Sequence, residues 1–424
     1  MNRNDIPVKR HTLANGLRVV HSYDPTTAMA AVNVLYNVGS RDENRQLTGM
    51  AHLFEHLMFG GSVNVPSFDA ELEGAGGKSN AWTSSDFTNF YDVLPAQNIS
   101  TAFHLESDRM LQLDFSPRSL EVQRGVVIEE FKQTCLNRPY GDLFHHLRRI
   151  CYAEAHPYSW PTIGLEPEHI ARVTLEDVER WFYSHYAPNN AILSVSGRIG
   201  FEETVELAER WFGDIPARNI SPRQLPKEGF PKESIVETVT ANVPQTMIVM
   251  AFPMDSYGTP RYHAADTITD ILSAGRASRF TRRLLFGNHE GLFSGADASI
   301  IGSEHAGLLL LTARLADNSD AAIDTACKMM LSEARQIAIP GNVSDHEFGR
   351  TLNNFEASFR FSNLGYLAKA TNLALAEYHG EDINRTITER RQLSIHNLAT
   401  EADRIFNHTP FATLIYRPTP KAEE

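Results

Sequence analysis

A chain of 424 residues is longer than one ordinary hydrophobic core fills, so two domains of about 200 residues each are expected. With 39 Lys and Arg against 52 Asp and Glu, the net charge of −13 argues against a nucleic-acid partner, which needs a surplus of cations. There is no apolar run of about 18 residues to span a membrane as a helix, and the three scattered cysteines, Cys135, Cys151 and Cys327, form no disulfide or zinc-binding spacing.

The polar stretch Met1–Arg10 lacks an apolar secretory core, and with the cysteine usage it sets a cytoplasmic expectation. Ala31–Val38, rich in β-branched and aromatic residues and closed by Gly39-Ser40, reads as a strand. A helix is expected from an N-cap near Thr48 to Gly60-Gly61, with Leu53, Phe54, Leu57 and Met58 as its apolar face. A second helix covers Ser67–Glu73, and a strand runs from Lys78 to Pro95 with a break near Thr83–Asp86. Helices follow at Ala102–Leu113 and from Pro117 through Glu130. Another, near Thr174–Tyr186, is capped by Thr174 with Asp177 and buries Val178, Trp181 and Phe182. Ala191–Ser196 returns as a strand. Pro216, Pro222, Pro226 and Pro231 mark a linker over 216–233 between a domain at 1–215 and a second at 234–424. Beyond it the order strand, turn, helix repeats, as if the second domain were a diverged copy without the histidines.

The chemistry concentrates in His52-Leu53-Phe54-Glu55-His56. On a helix, positions i and i+4 lie about 40° apart and i+3 about 60° to the other side, so both imidazoles and the carboxylate share one sector. Two neutral histidines one turn apart can chelate Zn²⁺, and the glutamate can reach a water on that ion as general base. A solvated surface helix is the bland alternative, but the apolar residues around the histidines bury most of this one. A catalytic zinc needs a third protein ligand and one open position. Glu129 and Glu130 are the candidates, and spacing alone does not separate them. His145-His146 reads as a solvated helix face without a carboxylate at chelating spacing.

The chain resembles the insulinase, or pitrilysin and mitochondrial processing peptidase, family of zinc metallopeptidases. The matching stretches are Gly39-Ser40-Arg41-Asp42-Glu43, Gly49 through His56, Gly77-Lys78-Ser79-Asn80-Ala81-Trp82-Thr83 and Glu121 through Glu130, with weaker ones at His156-Pro157-Tyr158 and Tyr186 through Ala191. The resemblance implies an α+β fold of two similar domains, each an antiparallel-rich sheet packed by helices. It implies Glu130 as the third zinc ligand. It also places Asn80, Ala81 and Thr83 on an edge strand to which an extended peptide substrate adds. The implied activity is that of a zinc-dependent endopeptidase or oligopeptidase with Glu55 activating the water.

Two departures from the family pattern stand out. Gln123 stands seven residues before Glu130, where active members often carry a glutamate supporting the site. Gly287 and Ser294 stand where an Arg and a Tyr would position the substrate carbonyl. The implied arrangement is a homodimer or a heterodimer with a paralogous chain that supplies that pair. The alternative is a non-catalytic or partner-dependent structural subunit.

Overall fold

Strands β1 (Lys9–Thr12), β2 (Arg18–Tyr23), β3 (Met29–Tyr36), β4 (Lys78–Thr83), β5 (Thr88–Pro95) and β6 (Ala191–Gly197) form one sheet in the order β1-β2-β6-β3-β5-β4. Only β2 and β6 run parallel; every other neighbouring pair is antiparallel. Strand β3 is covered on both faces, which is why its sequence is an apolar run rather than an alternation. Val32, Val34 and Tyr36 face the larger core with Phe90 and Leu193. Leu35 faces the helix Tyr366–His379, joining Val20, Ile192, Leu373 and Ala374. Asn33 and Asn89, buried on that side, exchange two amide hydrogen bonds of 2.8 and 2.9 Å. That closes a polar pair whose burial would otherwise be costly.

A second sheet contains β7 (Ile235–Ala241), β8 (Met247–Met254), β9 (Phe293–Ile301), β10 (Gly307–Leu315) and β11 (Ala412–Pro418), ordered β7-β11-β8-β10-β9. Again a single pair, β7 with β11, is parallel. Without β1, the first sheet has the same order and the same place for its parallel pair. The two halves are therefore copies of one α+β plan.

The computed structural model describes residues 5–226, 230–287 and 291–420. Its two compact units are discontinuous in sequence: Met1–Lys132, Trp160–Leu225 and Ser358–Thr386 form one, and Gln133–Ser159, Pro226–Ala357 and Ile387–Glu424 the other. The contiguous division expected at 216–233 is thus crossed twice. Each sheet has one face covered by a helix from the opposite half of the chain. Tyr366–His379 does this in the first unit, and Leu143–Cys151 in the second, where Leu147 and Ile150 meet Val249 and Leu414. The early part of the expected linker is fastened to the first unit. Arg218 donates to the carbonyls of Phe182 and Tyr186, and Arg223 pairs with Asp42. Residues 227–229 of that stretch lie outside the described residues. Among the described residues no helix is long and apolar enough to cross a membrane.

Candidate metal centre

The first unit contains α1 (Met50–Leu57), α2 (Phe68–Gly74), α3 (Ile99–Leu111) and α4 (Pro117–Phe131), of which α1 and α4 carry the clustered site residues. Helix α1 buries Met50, Ala51, Leu53, Phe54 and Leu57 in the core, leaving His52, Glu55 and His56 on its remaining sector. Its N-cap is Gly49, not the expected Thr48. Gly49 has φ of 87°, and a Cβ there would stand 2.8 Å from the Ile163 carbonyl oxygen. The Thr48 hydroxyl is engaged elsewhere, with His169 Nδ1 at 2.8 Å and the Leu165 N–H at 2.8 Å.

Glu43 does the capping from a distance. Its carboxyl oxygens accept the N–H groups of Gly49 (3.0 Å) and Ala51 (2.9 Å), together with the indole N–H of Trp160 (2.9 Å). Burial pushes its pKa up to about 8, against the pull of those three donors. The acidic residue was visible in the sequence, but nothing there aimed it at a helix whose N-cap, Gly49, lies six residues later.

On α4 the buried residues Leu120 and Val127 define the face toward the core. Gln123 and Glu130 lie on that face, three residues from Leu120 and Val127 respectively. Glu129 lies about 100° away. It is exposed and paired with Lys132 at 2.6 Å. Orientation thus sets Glu130, not Glu129, toward the two histidines. Glu130 Oε2 stands 3.7 Å from His52 Nε2 and 3.5 Å from His56 Nε2, and the three ligand atoms lie within 4.8 Å of one another.

Donors held at about 2.0–2.1 Å by one tetrahedral ion stand about 3.3–3.4 Å apart, so this set fits a shared zinc with little adjustment. The electrostatics agree. Burial pushes His52 down to about 4, which keeps its imidazole neutral and able to donate a lone pair. The His56 ring holds Glu130 below the usual carboxylate range. Burial raises Glu55, partly offset by a hydrogen bond from Thr83.

Strand β4, carrying Asn80, Ala81 and Thr83, is at the edge of its sheet, as the strand-addition expectation requires. The Asn80 side-chain oxygen accepts the Ala81 N–H at 2.8 Å. Thr83 is on the same edge strand and also reaches the site. Its hydroxyl donates to Glu55 Oε2 at 2.5 Å, so its side chain serves the carboxylate beside it.

In the second unit, Ser294 Oγ accepts from Gln245 Nε2 at 2.6 Å and Arg283 pairs with Glu333 at 2.7 Å. Residues 288–290, between Gly287 and Ser294, lie outside the described residues. His146, expected on a solvated face, is instead bonded to Glu237 (2.6 Å), a carboxylate brought by β7 that local spacing could not show, and to Asp142 (3.3 Å), four residues earlier in the chain.

Compared with known proteins, residues 18–156 match the family described as Insulinase (Peptidase family M16), and residues 172–355 match Peptidase M16 inactive domain. The chain belongs to peptidase family M16. Among M16 relatives, the Helicobacter pylori protein named zinc protease PqqE is 27% identical over 96% of this chain and 92% of its own length. The β subunit of the mitochondrial-processing peptidase of Saccharomyces cerevisiae is 26% identical over 93% of this chain and 85% of its own. In fold, a Helicobacter pylori protease superposes with TM-score 0.86 at 24% identity, covering 97% of this chain and all of that one. A Pseudomonas fluorescens structure described as a peptidase M16 inactive domain gives the same score at 15% identity over 99% of both chains.

Proposed function

We propose that this chain is a zinc-dependent endopeptidase or oligopeptidase that hydrolyses extended peptides added to the edge of β4. The observation that carries the reading is the convergence of His52, His56 and Glu130, with Glu55 on the same sector of α1. Relatives named zinc proteases support the choice of ion. His52 Nε2, His56 Nε2 and Glu130 Oε2 hold it, and Gln123 offers an amide to support them. Zinc, when bound, supplies Lewis-acid polarisation of the scissile carbonyl and acidifies water.

The chain's own residues do the rest. The exposed edge of β4 pairs with the substrate backbone, which selects extended chains. Glu55 takes the proton of the attacking water as its oxygen joins the carbonyl carbon. It then returns that proton to the amine nitrogen as the C–N bond breaks.

A partner-dependent form of this reading is favoured by one observation. Ser294, at the position where a tyrosine would stabilise the carbonyl oxygen, is a short side chain bound to Gln245. Missing stabilisation of that kind lowers turnover by about 10²–10³-fold. The partner in this form is a paralogous chain carrying Arg and Tyr, because a second copy would bring the same Gly287 and Ser294. The expected result is weak cleavage of a fluorogenic peptide by the zinc-loaded chain alone. Adding the paralogue should raise kcat by about 10²-fold or more, and an Arg or Tyr substitution in that paralogue should remove the gain. Full turnover by a demonstrably pure single chain, unaffected by any partner, contradicts the division of labour.

A further inference from the structure

The hydroxyl of Thr83 has a role that strand addition leaves unassigned. Along β4, Asn80 and Trp82 point to one face and Ala81 and Thr83 to the other. The paired residues agree: Ala81 lies opposite Phe90 and Thr83 opposite Thr88, both buried, and Ala81 packs on the core that α1 completes. The Thr83 side chain is therefore directed at α1, not along the sheet edge where an added strand would lie. Its hydroxyl reaches Glu55 Oε2 at 2.5 Å.

The support beneath it is firm. As a β-branched residue Thr83 has few χ1 choices. The turn that follows is closed by Ser84, whose N–H and hydroxyl both donate to the Phe87 carbonyl at 2.9 Å. That turn is also tied to the segment preceding α1, through Ser40 N–H to Ser84 O (3.2 Å) and Arg41 N–H to Ser85 O (2.9 Å). Glu55, by contrast, is a long side chain with three rotatable bonds, and a freely turning base spends most of its time misaligned.

We propose that Thr83 is a positioning residue for Glu55: its hydroxyl fixes Oε2 and leaves Oε1 as the oxygen that exchanges the proton. The inference rests on the reading of Glu55 as the base. It adds a consequence: the residue that ends the substrate-binding strand also orients the base, so edge occupancy and base alignment are connected through one side chain.

The test uses the zinc-loaded full-length chain, with its partner subunit where the wild type needs one, and compares Thr83→Val, Thr83→Ser and Glu55→Gln. Thr83→Val should lower kcat by about 10²-fold with KM changed by no more than about threefold. Zinc content should stay at that of the wild type. In crystals of the zinc-loaded chain, the Glu55 carboxylate should leave its position in Thr83→Val and keep it in Thr83→Ser. Thr83→Ser should recover most of the lost kcat. An unmoved Glu55 in Thr83→Val overturns the proposal, whether or not turnover is measurable. So does a rise in KM with kcat intact, which makes Thr83 a substrate contact, or a serine variant no better than valine. Retained activity in Glu55→Gln refutes the base assignment itself. Loss there with a fully active Thr83→Val refutes only the positioning role.

Discussion

His56→Ala is expected to abolish stoichiometric zinc binding and, with it, peptide cleavage. The two imidazoles are held one turn apart by α1, and Glu130 of α4 is the third group that could hold the ion with them, so each supplies one donor of the proposed chelate. Loss of a supporting partner costs about 10–100-fold in metal affinity, and loss of a ligand should exceed that. Glu130→Gln should fall in the same class. Glu129→Gln, altering an exposed residue paired with Lys132, should leave zinc affinity unchanged. Metal content after dialysis and calorimetric titration of the stripped proteins would decide the matter. Zinc retained by His56→Ala, or lost from Glu129→Gln, contradicts the assignment.

The second large effect concerns stability. Glu43→Ala leaves two buried donors, the N–H groups of Gly49 and Ala51, without their acceptor, while the Trp160 indole keeps its 3.2 Å bond to the Ser40 carbonyl. An orphaned buried donor costs about 1–3 kcal/mol, so a loss of about 2 kcal/mol or more is expected. It is concentrated at the start of the metal-binding helix. Glu43→Gln, which keeps an acceptor oxygen, should lose less. The pH dependence has a definite sign. The folded pKa of Glu43 is raised to about 8 from the usual carboxyl range, so its contribution is fully present below the unfolded value. That contribution is lost as the pH rises through the folded value. Denaturant unfolding of the wild type and Glu43→Gln should therefore differ most steeply between pH 5 and about 8. Parallel curves over that range contradict a proton-retaining Glu43.

Much of the first unit was legible because its signals are local. The β-branched run of β3, the Thr174–Asp177 capping box and the spacing of His52, Glu55 and His56 each specify a short element without help from distant residues. Distant contacts decided the rest. Gly125-Val126-Val127-Ile128 is apolar all round, and Val126 is exposed in the folded chain, so the run concealed which side of α4 faces α1 and hence which glutamate points at the histidines. The helix Tyr366–His379 gave no sign that it belongs on the first sheet, since Leu373 and Ala374 would suit any apolar surface. Thr83 entered only through the family resemblance, as a residue of the substrate-binding edge strand. Only the position of α1 shows that its hydroxyl is already engaged.

The proposed role of Glu55 as the base of a zinc peptidase is open to a direct test. The most direct measurement is cleavage of a broad fluorogenic peptide library by the zinc-loaded wild type and Glu55→Gln, each with its zinc content determined and with the partner subunit present where required. Equal zinc in both is expected, with a fall in kcat of about 10²–10⁴-fold in the variant. Equal cleavage by the two proteins at equal zinc content would contradict that role.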